Sequence, residues 1–200
     1  MTRTLDPPGP PEAFRRAVEG LHAVLPSTQR PGTLVVHEVP APRRLAPHAV
    51  AFAAEVGRDG DDVATGRFVV LHDPAGQDGW RGDTRVVAFV SADVDAEMAG
   101  DPSLAEVGWS WLQDALEAHA AGHTAAGGTV TRTASLTFGL VEDPEETNEV
   151  EIRASWTPLA APDGSLDLAA HLQAWCELLC STAGLPPLGV AVLPVRETPR

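Results

Sequence analysis

Apolar positions recur with a helical period first, then with a strand period, then with a helical period again. Phe14, Ala17, Val18, Leu21, Val24 and Leu25 share one face of a helix that opens at Pro11 and is expected to stop at Pro26, while Arg15, Arg16, Glu19 and His22 take the other face. Thr33–Val39 alternates as a short edge strand. Ala49–Val56 and Val63–His72 form a hairpin around Arg58-Asp59-Gly60-Asp61, because Asp-Gly favours a tight turn. Thr84–Val94 is apolar on both faces, which predicts a central strand. Asp101 is expected to cap a second helix whose broad apolar arc holds Leu104, Gly108, Trp111, Leu112, Ala115, Leu116 and His119. Glu106, Ser110, Gln113, Asp114 and Glu117 face away from that arc. Gly122 and the pair Gly127-Gly128 are read as its end and exit loop.

Thr129–Phe138 then alternates cleanly, with Val130, Ala134, Leu136 and Phe138 on one side and threonines and Ser135 on the other; Arg132 interrupts the apolar side. An acidic loop, Glu142–Glu149, leads to Val150–Trp156. The last helix, entered through Asp163-Gly164-Ser165 and ended by Gly184, buries Leu168, Leu172, Trp175, Cys176, Leu179 and Cys180. Strands followed by helices rather than strict alternation predict an α+β fold. The expected form is a twisted antiparallel sheet of five to six strands with three helices, in the order α-β-βββ-α-ββ-α. Residues 1–10 read as a disordered arm, 11–184 as one domain and 185–200 as a Pro-rich extension, with 190–195 lying against the body.

Composition narrows the setting more than the chemistry. The net charge is −14, all fourteen basic residues are Arg, and Tyr is missing. A diffuse acidic surface repels phosphate backbones and anionic lipid, so direct nucleic-acid or membrane partners are not expected; it would suit a basic partner, though solubility is the commoner reason for such a charge. Absent Lys and Tyr, with one Ile and one Asn, point to a GC-rich genome. The first eleven residues do not read as a secretory signal, no apolar run is long enough to span a bilayer, and two cysteines make no disulfide framework. The cytoplasm is the expected location.

No set of side chains reads as a convincing catalytic site, and no cofactor is implied. Cys176 and Cys180 share a helix face, and His119 and His123 have the same spacing, so the four could ligate zinc. The plainer reading is that both cysteines are core hydrophobes. His72 beside Asp73 invites a general base, but neighbours on a strand point to opposite faces. An enzyme with an unrecognised site near Asp73, Trp80 and Arg132 is the rival to the leading reading of a non-enzymatic binding, adaptor or chaperone-like protein. Contact candidates for a protein partner or a homodimer are Trp80 and Arg81 in a Gly-rich loop, Trp109 at the rim of its helix's apolar arc, and Leu178 off the core face of the last helix. Trp80 could equally fold back and cap the sheet; Trp111, Trp156 and Trp175 belong to the core.

Six blocks together resemble a known family: Arg44–Val56 (RLAPHAVAFAAEV), Ala64–Trp80 (ATGRFVVLHDPAGQDGW), Glu106–Glu117 (EVGWSWLQDALE), Gly127–Thr133 (GGTVTRT), Glu151–Leu159 (EIRASWTPL) and Ala174–Pro187 (AWCELLCSTAGLPP). The family is an actinobacterial group of uncharacterised proteins, a domain of unknown function numbered three thousand. The resemblance implies an actinobacterial source and brings no activity or site residues. The order of elements also loosely resembles small acidic secretion chaperones, which would imply peptide binding on apolar patches and dimerisation.

Overall fold

The computed structural model describes residues 9–30, 33–58, 60–139 and 145–186. Six strands form one antiparallel sheet in the order β1-β2-β3-β4-β6-β5. They are β1 (Leu34–Val39), β2 (His48–Arg58), β3 (Asp61–His72), β4 (Thr84–Asp93), β5 (His123–Thr137) and β6 (Glu145–Pro158). Four helices accompany them: α1 (Glu12–Thr28), α2 (Ala96–Gly100), α3 (Leu104–Ala118) and α4 (Leu168–Thr182). The α+β architecture matches the sequence pattern, with α2 as an addition.

One face of the sheet carries the core. Strand alternation sends Val50, Phe52, Ala54, Phe68, Val70, Val86, Ala88, Val90, Ile152, Ala154 and Trp156 towards the helices. Of the helices, α4 lies on β3, β4 and β6, with α1 and α3 packed against it. Leu178 is therefore fully buried, which corrects its assignment as an exposed contact. A helix flanked by two others and seated on a sheet keeps only a narrow, partly open stripe, here Ala169, Gln173, Glu177 and Ser181.

The opposite face is only partly covered. Ala51, Val69 and Leu71 are buried there beneath Val39, Ala41, Ala46, Ala49 and Trp80. Elsewhere on it Val35 and Val87 remain exposed, with Arg153 stacked 5.6 Å over the Phe89 ring. So β4 is central, as expected, but its second apolar side faces outwards.

Several local expectations need correction. Helix α1 continues two residues past Pro26, and its last turn is closed by Ser27 Oγ and Thr28 Oγ1 donating to the carbonyls of Val24 and Leu25. Asp101 does not cap the long helix; it accepts from the Ser103 amide at 2.8 Å and hydroxyl at 2.6 Å, while Asp95 caps α2. Those two bonds hold the Asp101 carboxyl below its ordinary range. Gly127 and Gly128 lie inside β5, and residues 145–149 of the expected acidic loop belong to β6. Helix α4 begins at Leu168 with Asp167 accepting from the Ala170 amide, three residues after the Asp163-Gly164-Ser165 turn. Trp111 is half-buried rather than enclosed. Residues 1–8 of the expected N-terminal arm and 187–200 of the expected extension lie outside the described residues.

The two edges of the sheet differ. At β1 the Gln29 side chain acts as a substitute strand: its amide donates to the Val36 carbonyl and its oxygen accepts from the Val36 amide. At β5 no such cover exists among the described residues. That strand is also long, and β5 and β6 continue pairing from Ala134↔Asn148 to Thr137↔Glu145, past the last β4 pair at Asp93↔Glu149. The hairpin overhangs the sheet by about 14 Å. Hence Leu136 and Phe138, expected on a buried side, are 49% and 73% exposed.

Candidate functional site

The β5 edge has a hollow beside it. Glu106 and Trp109 are three residues apart on α3 and so lie next to each other on one side of the helix. Gly108, buried between them in sequence, lets α3 approach the sheet: a Cβ there would stand 3.3 Å from Val130 Cγ1. Gly128 does the same from the strand, since a Cβ there would lie 2.2 Å from the Arg153 carbonyl and 3.0 Å from Trp109 Cζ3. The result is an open pocket of about 370 Å³ lined by Ala105, Glu106, Trp109, Gly128 and Val130. Among the described residues Glu106 has no ion-pair partner.

A two-residue irregularity in β5 precedes this site. The register jumps between Thr124 and Gly127, and Ala125 has φ 51°. Arg85 holds the segment, donating from Nη1 to the Ala125 carbonyl at 2.9 Å and Thr157 Oγ1 at 3.1 Å, and from Nη2 to Ser155 O and Oγ. Burial lowers its pKa from the ordinary guanidinium value.

Trp109 is the one contact candidate of the sequence reading that lines this pocket. Trp80 folds back over Ala51, Val69 and Leu71, and its carbonyl accepts from Thr157 Oγ1. Arg81 is exposed next to it with φ 59°. Leu178 is in the core. Glu106, Gly128 and Val130 were not marked as pocket residues, because Glu106 reads as a solvated charge, Gly128 as loop and Val130 as one more apolar strand position. The usable signal was Glu106–Trp109 at helical spacing together with glycine at 108 and 128.

The rival site does not assemble. Asp73 follows the His72↔Thr84 pair at one end of β4, whereas Arg132 pairs with Val150, which faces Ala92 near the other end. About 27 Å of strand separates the two levels. Arg132 instead donates to the carbonyls of Ala99 and Asp101 at 3.3 and 2.5 Å.

His72 does have an ordered surround. The Thr84 hydroxyl donates to Asp83 at 2.9 Å, so it must accept from His72 Nδ1 at 2.9 Å, which places the proton on Nδ1. Nε2 is then a buried lone pair with no partner among the described residues. The ring stacks on Phe14 at 4.8 Å, and burial lowers its pKa, with Asp83 opposing that effect.

The zinc set is likewise dispersed into other roles. Cys176 and Cys180 are fully buried free thiols, and burial pushes both upwards in pKa, away from the thiolate a metal needs. His119 Nε2 pairs with Glu177 at 2.6 Å, and His123 Nδ1 contacts the Ala121 carbonyl at 3.0 Å. No group of three or more His, Cys, Asp or Glu residues is placed to hold a metal among the described residues. No described helix is long and apolar enough to cross a membrane.

No curated protein and no solved structure matches the chain. One family model does, over residues 10–191, which spans every element of the sheet and its helices. The chain belongs to the family described as Protein of unknown function (DUF3000).

Proposed function

We propose that the protein is a cytoplasmic protein-binding module that accepts an extended segment of a partner along the outer edge of β5. The observation that carries this reading is the asymmetry of the two sheet edges. The six-residue β1 is occupied at Val36 by Gln29 and carries His37 and Glu38, two polar residues of the kind that discourage pairing. The fifteen-residue β5 carries one charged residue other than its first histidine, Arg132, and a run of threonines suited to strand pairing. An extended chain added there gains main-chain hydrogen bonds along its length, and a neighbouring pocket for alternate side chains gives it selectivity. The exposed Leu136 and Phe138 on the overhang add apolar surface to the same edge. The buried free cysteines suit a reducing compartment.

The test is peptide selection from a displayed library, followed by amide hydrogen exchange of the full chain with a selected peptide bound. Slowed exchange within residues 128–137, with β1 unchanged, is the expected result. Protection confined to β1 or to the open sheet face would refute the reading. Slow exchange of the β5 edge in the free protein at high concentration would assign the edge to a second copy instead.

A further inference from the structure

We infer that the pocket between α3 and β5 takes a basic side chain, Arg or Lys, from the segment added to β5; the inference rests on the strand-addition reading and specifies its partner. Side chains of an added strand alternate faces, so every second one emerges on the helix side, beside Gly128 and Val130. There it meets three kinds of surface. Val130 and Ala105 offer apolar walls for an aliphatic stem. Trp109 offers an indole, which attracts a cation to its face. Glu106 offers a carboxylate that no described cation neutralises.

A basic side chain matches all three. A leucine would use the walls and leave Glu106 facing an apolar group. An acidic side chain would be repelled by Glu106 and by the chain's net charge of −14. Arg132 lies two residues further along the same side of β5. Its guanidinium is held by the Ala99 and Asp101 carbonyls, and its charge acts on the Asp101 carboxylate. Its positive charge is therefore balanced locally and leaves Glu106 available.

The test uses the full isotope-labelled chain and short blocked peptides of alternating Thr and Val with Arg, Lys, Leu or Glu at the central position. Two signals are followed: the β5 backbone amides and the Trp109 indole N–H. The Arg and Lys peptides are expected to bind about tenfold tighter than the Leu and Glu peptides and to move both signals. Glu106→Gln, a substitution of an exposed side chain, should reduce that preference to about threefold or less, chiefly by weakening the Arg and Lys peptides. If the β5 amides move equally for all peptides, or Glu106→Gln leaves the preference intact, the basic-pocket inference is overturned and strand addition stands. If Arg moves the Trp109 signal alone and no peptide moves the β5 amides, strand addition fails and the pocket survives as a separate site. If neither signal moves, both are wrong.

Discussion

Gln29 is bound to Val36 as one strand is bound to another, through a donor and an acceptor on the same side chain. An amide presents both groups side by side, which an ionised carboxylate at neutral pH does not. Gln29→Glu keeps the acceptor for the Val36 amide but turns a second oxygen towards the Val36 carbonyl. It should lower stability by about 1–3 kcal/mol, since it removes one bond and opposes two acceptors. Gln29→Ala should cost about 1 kcal/mol and also open the β1 edge. Urea denaturation measures the first effect and sedimentation at high concentration the second. Equal stability of Gln29→Glu and the parent protein would contradict the pairing.

Trp175 lies on Gly66. A Cβ at residue 66 would come within 2.8 Å of Trp175 Cζ2, 2.7 Å of Leu179 Cδ1 and 3.1 Å of the Phe89 carbonyl. That carbonyl also accepts from Trp175 Nε1 at 3.2 Å, so the indole cannot slide away without losing its bond. Gly66→Ala is therefore expected to destabilise by about 1–3 kcal/mol through overpacking, despite the better strand propensity of alanine. Thermal melting should show a fall of about 2–12 °C. An unchanged melting temperature would mean that α4 sits further from β3 than described.

Helix α3 is stopped by an alanine in the left-handed region, two residues past its end at Ala118. Ala120 has φ 51°, and the Ala121 amide donates back to the Leu116 carbonyl at 2.8 Å, the bond of a glycine-type helix stop. The strain of alanine in this conformation is about 1–2 kcal/mol, and the extra freedom glycine gives the unfolded chain recovers less than that. Ala120→Gly should raise stability by about 0.5–1 kcal/mol. Gly122→Ala, at a residue without positive φ and with 3.8 Å to the nearest atom, should be neutral or mildly stabilising. The reverse ranking of the two variants in chemical denaturation would show that the helix stops at Gly122 after all.

These residues also mark how far the sequence was legible. Periodicity located all six strands and the three long helices, because each has an apolar side that must be covered. It did not tell how far the covering element reaches. The apolar side of β5 is real in Ala134, Leu136 and Phe138, yet the hairpin runs past its neighbours and those side chains are exposed. Leu178 is off-phase for the sheet, yet α4 is enclosed by α1 and α3 and buries it. The helix stop was misplaced by two residues because Gly122 advertises a stop and Ala120 does not. The pocket was half visible: Trp109 was marked, while Glu106 and Gly128 acquire meaning only once β5 is laid beside α3.

The buried pair Trp156–His171 makes stability depend on pH. Trp156 Nε1–H donates to His171 Nδ1 at 3.0 Å, so Nδ1 must carry a lone pair and the ring is neutral in the folded state. Burial, reinforced by the charge of His123 and opposed by Asp167, lowers the His171 pKa to about 4. The unfolded chain keeps a pKa near the ordinary 6.5 and so binds the proton first as acid is added. The contribution is fully present above pH of about 6.5 and is lost progressively down to about 4, amounting to roughly 3 kcal/mol in all. His72 shifts in the same direction, largely through burial, and adds to the loss of stability as pH falls below about 6.5. Carboxylates add their own acid dependence, so the discriminating measurement is a comparison: urea midpoints of the parent protein and of His171→Gln at intervals from pH 7 to 4. Glutamine keeps an acceptor for the indole but does not titrate here. The variant should begin less stable at pH 7 and lose less on acidification. Parallel midpoint curves would show that His171 does not exclude its proton in the folded protein.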